Sequence, residues 1–296
     1  MVITMPNNDL WTKDKEIEFF TKSLEVAAPE KLFYTTSDGK RFAYWPKKYD
    51  GAKETLQSRN AFIGAFTEKW TQELLSGIAE EMGAYAVRSV VCDEFELTNK
   101  SPADVAICKT DSVIQKPENI IALFEVKMSI VWNWEYKDDG RFICLGDYKT
   151  HQGNPGMLRS DSMLKAIGKS ISVRIACLSS ANVPIIILGN TPVTKNYYTK
   201  VDNLKNYGII QGFWSVNPNP LDDPSDNILK TDNYGFQRFD TYDNFQENTI
   251  QLLEEKRTFF AGMKSKNELG RIISVANAEE TYEKKAERFL SLMGGG

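Results

Sequence analysis

Ser101-Pro102-Ala103-Asp104-Val105-Ala106-Ile107 and Leu123-Phe124-Glu125-Val126-Lys127 are two short apolar runs, each broken by charge. Alternate residues of a strand share one face. In a strand, Glu125 and Lys127 therefore point the same way and Val126 turns toward a core. The apolar run around them covers 120–130, and two charged side chains inside such a run are costly to bury without partners or a metal. Asp104 follows a Pro-containing turn at the start of the preceding apolar stretch, 103–109. Pairing of the two strands brings one carboxylate from each to a sheet end, beside an ammonium.

Outward from this pair, residues 54–82 carry a helical pattern. Phe62, Phe66, Trp70, Leu74 and Ile78 recur every four residues, Ile63 and Leu75 widen the stripe, and Gly83 is the stop. Three strand-like stretches follow, 84–95, 103–109 and 120–130, the first two close enough to be antiparallel neighbours. A helix begins at Ser160 as N-cap, with Asp161 in its first turn, and runs through Met163, Leu164, Ile167 and Ile171. The apolar strand 183–188 comes next, and its connection across a helix suits parallel pairing with 120–130. Upstream, 11–27 reads as a helix and 32–45 as a β-hairpin turning at Ser37-Asp38-Gly39. Downstream, 131–157 reads as an irregular excursion and 217–243 as polar and Pro/Asp-rich. Residues 244–262 and 277–293 read as helices, with Gly294–Gly296 a frayed end. The fold class is α/β, with a central mixed sheet flanked by helices and a helical C-terminal region. The organisation is an N-terminal helix-and-hairpin extension (1–53), a core (54–216) and a mostly helical region packed on it (217–296).

Hydrophobic residues make up 42% of the 296 and charged residues 26%, so a sizeable core is available and the composition is that of a globular protein. No apolar run spans a bilayer, and the N-terminus lacks the marks of a secretory signal. The reading is a cytoplasmic protein with no membrane partner. Cys92, Cys108, Cys144 and Cys177 are too widely spaced for a zinc knuckle and read as buried, reduced thiols. The single histidine, His151, argues against a Ser-His-Asp hydrolase and reads as an exposed residue of a Gly-rich loop. No phosphate-binding Gly-x-x-x-x-Gly-Lys motif is present, so no nucleotide cofactor is expected. The net charge of −4 does not advertise a nucleic-acid partner, but its distribution does. Between Pro155 and Ile210, Arg159, Lys165, Lys169, Arg174, Lys195, Lys200 and Lys205 face only Asp161 and Asp202. That stretch carries +5 and leaves −9 for the rest.

In this order and setting, Asp104 and the Glu125-Val126-Lys127 triplet resemble the PD-(D/E)xK nuclease superfamily, which includes many type II restriction endonucleases, Holliday-junction resolvases and repair nucleases. The resemblance covers roughly residues 58–190. The chain departs from the eponymous dipeptide in placing Ala103 between Pro102 and Asp104. The resemblance implies a restriction-endonuclease-like core in which Asp104, Glu125 and Val126 hold Mg²⁺ and Lys127 is the catalytic lysine. Glu68, on the helix before the strands, is the candidate for a further acidic catalytic residue, with Glu73 as fallback. Asp93, Glu94 or Glu96 would otherwise supply a second-metal ligand. Magnesium takes oxygen ligands, usually one or two carboxylates, and a neighbouring lysine orients water and neutralises charge on the phosphate.

The implied partner is double-stranded DNA, bound by a homodimer whose two-fold axis matches a palindromic site. Candidate DNA contacts are Arg159, Lys165 and Lys169 on the helix after the Glu-x-Lys strand, and Lys137 and Arg141 in the 131–157 excursion. The chain remaining after the core favours sequence recognition, hence a type II restriction endonuclease. Two further readings stay open. One is a repair or junction-resolving nuclease with the same core, and the other a non-catalytic α/β DNA-binding protein.

Overall fold

In chain order the elements are α1 (Lys13–Leu24), β1 (Tyr34–Thr35), β2 (Arg41–Phe42), α2 (Gln57–Glu81), β3 (Tyr85–Val90), β4 (Ala103–Cys108), β5 (Ile120–Lys127), β6 (Asn133–Tyr136) and β7 (Phe142–Gly146). They continue with α3 (Ser160–Ala176), α4 (Leu178–Ala181), β8 (Ile185–Gly189), α5 (Tyr198–Asn206), β9 (Gly212–Ser215), β10 (Phe236–Arg238), α6 (Tyr242–Glu254), α7 (Lys266–Ala276) and α8 (Tyr282–Gly294). This computed structural model describes residues 9–255 and 264–294. The end of the helix expected over 244–262, and most of the frayed end expected at Gly294–Gly296, lie outside the described residues.

The apolar strands around Asp104 and Glu125 form the middle of a six-stranded mixed sheet, in the order β10-β9-β8-β5-β4-β3. β4 is antiparallel to both β3 and β5, while β5, β8, β9 and β10 run parallel. Both faces are covered, which is why these strands read as near-continuous apolar runs. On one face Val105, Ile107, Phe124, Val126, Ile186 and Leu188 share a core with Ile63, Trp70, Leu74 and Ile78 of α2. On the other, Ala106, Leu123 and Ile185 pack with Val173 of α3. Strand parity then places Asp104, Glu125 and Lys127 on the α3 side and Val126 in the α2-side core. Gly83, at φ +65°, ends α2 in the left-handed turn that leads directly into β3.

A second, antiparallel sheet runs β1-β2-β6-β7. The stretch 131–157, expected to be an irregular excursion, supplies half of it. Trp132 and Trp134 are buried there, and Tyr136 stacks on Phe33 with ring centroids 5.0 Å apart. Short strands completed only by a distant hairpin leave little periodic signal, which is why these two were not anticipated. Both sheets draw strands across residues 53 and 216, since β2 pairs with β6 and β9 with β10.

Other expectations shift locally. The strand beginning at 84 stops at Val90, and a helical turn at Asp93–Phe95 replaces its end. Ser160 is the first residue of α3 and not its cap, and Arg159 occupies the N-cap position without a side-chain bond. Of the apolar residues along this helix, Met163 is buried whereas Leu164 and Ile171 are exposed. His151 is buried, not exposed: its ring stacks on Tyr44 at 3.9 Å, and burial pushes its pKa down to about 4. Cys92 and Cys108 are buried and Cys144 and Cys177 half-buried; all four are free thiols.

The two sheets are tied by a buried carboxylate. Glu16 of α1 is fully enclosed and accepts from the Val131 amide (2.6 Å), the Trp132 amide (3.3 Å), the Trp134 indole (2.8 Å) and the Trp11 indole (3.4 Å). Burial pushes its pKa up to about 8 against the pull of those four N–H groups. A raised carboxyl pKa contributes stability that is complete below its ordinary value of 4.5 and is lost as the pH rises through about 8. Between these limits the wild type should lose stability relative to Glu16→Gln, at a slope of about 1 kcal/mol per pH unit. Urea denaturation across that range measures the slope, and parallel profiles for the two proteins would show that Glu16 does not titrate there.

Candidate active site

The register Val105↔Phe124 between β4 and β5 sets Asp104 beside Glu125. Beyond that pair the strands are joined by a side chain: Asp104 Oδ2 accepts from the Val126 amide at 2.7 Å. The other members of the cluster come from β5 itself and from α3. Lys127 Nζ donates to Glu125 Oε1 at 2.6 Å and to the Val126 carbonyl at 3.1 Å, and lies 3.7 Å from Asp104 Oδ2. Lys169 Nζ lies 3.3 Å from Asp104 Oδ1 and 2.6 Å from Glu125 Oε2, and donates to the Pro102 carbonyl at 2.8 Å. Two carboxylates and two ammonium groups thus form one closed cluster, each side chain less than a quarter exposed.

The exit of β5 is fixed just beyond the cluster. Asn190 donates to the Ser129 carbonyl and accepts from the Ser129 amide, clamping the chain after β5 to the end of β8. Gly156 (φ +53°) passes so close that a Cβ there would lie 3.0 Å from the Lys127 carbonyl and 2.9 Å from Thr191 Oγ1. Only glycine suits both that backbone and that approach.

The structure brings together Asp104, Glu125 and Lys127 as the sequence predicts. Glu68 on α2 joins their electrostatic neighbourhood: burial raises its pKa, the negative charge of Asp104 adds to this, and Arg88, Lys169 and Lys127 oppose it. Glu73 is paired instead with Lys69, Glu96 with the Ser172 hydroxyl and Glu94 with the Cys92 thiol.

Lys169 is the member that sequence spacing does not place in the cluster: spacing groups it with Lys165, one turn earlier, as a candidate phosphate contact. Lys165 is exposed and paired with Asp161, as is Arg159, whereas Lys169 turns inward to the carboxylates. Its pKa is lowered by burial but raised more by Asp104 and Glu125, so it stays charged. Lys137 and Arg141 sit on the β6–β7 hairpin, paired with Glu135 and Asp139. Arg174, counted in the basic stretch, is buried at the far end of α3 and spends its guanidinium on the carbonyls of Ser180, Ala181, Val183 and Ile209. A cleft lined by Arg174, Gln211, Gln237 and Asn248 lies at that end and not at the carboxylates.

Among the described residues no group of three or more His, Cys, Asp or Glu side chains is placed to hold a metal ion. Asp104 and Glu125 nonetheless make a donor set suited to a hard cation. Both carboxylates already converge on one positive charge, the Lys169 ammonium, and the Val126 and Pro102 carbonyls add backbone oxygen beside them. Comparison with protein-family models, with curated proteins and with solved structures gives no match to this chain.

Asp104→Ala and Asp104→Asn both remove the charge, but only asparagine retains an oxygen for the Val126 amide. The alanine variant should therefore be the less stable of the two by about 1–2 kcal/mol, the cost of leaving a buried N–H unpaired. Equal urea midpoints and slopes would show that this bond does not hold β4 to β5.

Proposed function

We propose that this chain is a Mg²⁺-dependent endonuclease that hydrolyses phosphodiester bonds of double-stranded DNA, with a restriction-endonuclease-like core and the character of a type II restriction enzyme acting in the cytoplasm. The observation that carries the reading is the meeting of Asp104, Glu125 and Lys127 at one sheet end, on strands otherwise buried on both faces. Asp104, Glu125 and the Val126 carbonyl would hold the ion. Bound Mg²⁺ supplies Lewis acidity toward the phosphate and lowers the pKa of a water.

The chain's own residues do the rest. Glu125 positions the Lys127 ammonium, which orients the attacking water and neutralises the charge that builds on the phosphate. Glu68, whose pKa is raised by burial and by Asp104, would be the further acidic residue beside the cluster, able to hold a proton. The backbone clamp at Asn190 keeps the end of β5 from shifting as charge changes. The exposed cations Arg159 and Lys165 flank the cluster on α3 and suit phosphate contact. The exposed Leu164, Ile171, Ile175 and Leu178 form an apolar edge along α3 and α4 that supports a homodimer. The membrane plays no part in this reading: among the described residues no helix is long and apolar enough to cross one.

Incubation with plasmid and Mg²⁺ should give discrete fragments, and Asp104→Asn, Glu125→Gln and Lys127→Ala should each lose at least about a hundredfold in rate. Cutting confined to branched or flapped DNA would move the chain to junction-resolving or repair nucleases. DNA binding without cleavage in Mg²⁺ or Mn²⁺, unchanged by Lys127→Ala, would make it a non-catalytic DNA-binding protein.

Lys165→Ala should weaken DNA binding equally across sequences and reduce the slope of log K against log [salt] by about 1. An unchanged slope would place that end of α3 away from the DNA.

A further inference from the structure

Lys165 and Lys169 are one helical turn apart on α3, yet the Lys165 side chain is 73% exposed and that of Lys169 24%. The Lys169 ammonium sits among three oxygens: the Pro102 carbonyl at 2.8 Å, Asp104 Oδ1 at 3.3 Å and Glu125 Oε2 at 2.6 Å. An ammonium has three donors, and these acceptors use all of them. The opposite oxygen of each carboxylate is committed to the sheet, Asp104 Oδ2 to the Val126 amide and Glu125 Oε1 to Lys127. The two carboxylate oxygens without sheet partners are thus the two that hold Lys169. An all-oxygen cradle carrying two negative charges is also what a hard divalent cation takes.

The two lysines are not equivalent in this respect. Lys127 springs from the same strand as Glu125 and also holds the Val126 carbonyl, so it stays beside the carboxylate whatever enters. Lys169 reaches in from a helix on a flexible four-carbon stem and can swing out without any movement of the sheet. A dication and an ammonium in one cradle would repel strongly in so enclosed a place.

We propose that Lys169 is an internal placeholder for the catalytic cation. Its ammonium fills the cradle of Pro102, Asp104 and Glu125 in the resting protein, a divalent cation displaces it, and the freed ammonium turns to a DNA phosphate. This rests on the metal-dependent reading above and adds the Pro102 carbonyl to the Asp104, Glu125 and Val126 oxygens named there. Displacement weakens cation binding to the DNA-free protein. It also couples cation to DNA, because the phosphate gives the displaced ammonium a new partner.

The test is Mn²⁺ binding to the DNA-free protein, followed by calorimetry and by the Mn²⁺ resonance signal. Lys169→Met should bind Mn²⁺ about tenfold more tightly than the wild type, and Lys169→Met/Glu125→Gln should lose that binding. Mn²⁺ should also raise the melting temperature of Lys169→Met more than that of the wild type. Lys169→Gln should behave in the same way and serves if the methionine variant does not fold. Equal or weaker binding in both Lys169 variants, still abolished by Glu125→Gln, overturns the placeholder and leaves the cation site standing. Absence of binding in the wild type and in both variants overturns the placeholder and the metal-dependent reading together.

Discussion

The hydrogen bond from the Val126 amide to Asp104 lies where the ladder between β4 and β5 gives out. Regular pairing ends at Val105↔Phe124, and past it a side-chain carboxylate takes the place of a backbone acceptor. That substitution has two consequences. It holds Asp104 rigidly, because an amide fixed in one strand sets the position of an oxygen from another. It also commits only one oxygen, so the second faces the space between the strand end and α3. The site therefore sits outside the carboxyl end of β5, beside the parallel strand β8, where open α/β sheets place their ligands.

The remainder of the molecule keeps that end in place. β5 does not simply stop: the chain turns at Ser129 under the Asn190 clamp and then runs into Val131 and Trp132, whose amides are held by Glu16. A buried carboxylate of α1 is thus connected, through a few residues of backbone, to the carboxylates of the site. In the second sheet, which this segment enters, Tyr136 stacks on Phe33 and Phe142 tilts against Tyr136. Polar groups buried in this way are favourable only when their partners are in place, which makes the chain after β5 one of the best-determined parts of the fold.

Long, periodic elements were legible from sequence. The stripe Phe62 to Ile78 forms α2, and the runs around Asp104, Glu125 and 183–188 form β4, β5 and β8 with the expected antiparallel and parallel pairings. Elements that exist only through distant partners were not. β6, β9 and β10 are three or four residues long and depend on strands far away in sequence, so their local composition carries little information. At the candidate site, strand alternation was enough to align Glu125 with Lys127. Helical spacing was not enough to separate Lys165 from Lys169, because residues four apart lie on one face while burial depends on how α3 tilts over the sheet. The same limit explains His151, whose Gly-rich neighbourhood suggested exposure until Tyr44 and the second sheet closed over it.

Charge balance gives these observations a common meaning. Asp104 and Glu125 are matched by Lys127 and Lys169, so the cluster itself is neutral, and burial together with the negative charge of Asp104 raises the pKa of Glu68 beside it. A neutral cluster can remain half-buried in an apolar sheet without a ligand, which isolated carboxylates could not. It gains little by attracting a lone anion and little by attracting a lone dication, since either upsets the balance. On the proposed reading, a dication arriving with a phosphodiester would add +1 where a lone dication adds +2, and an ammonium that turned from the carboxylates to the phosphate would separate the two cations. Lys127 is bound to the strand that also carries Glu125, whereas Lys169 is the group whose departure leaves the β4–β5 junction intact. On the proposed reading, the geometry that balances this cluster also determines which residue would have to move for a cation to enter.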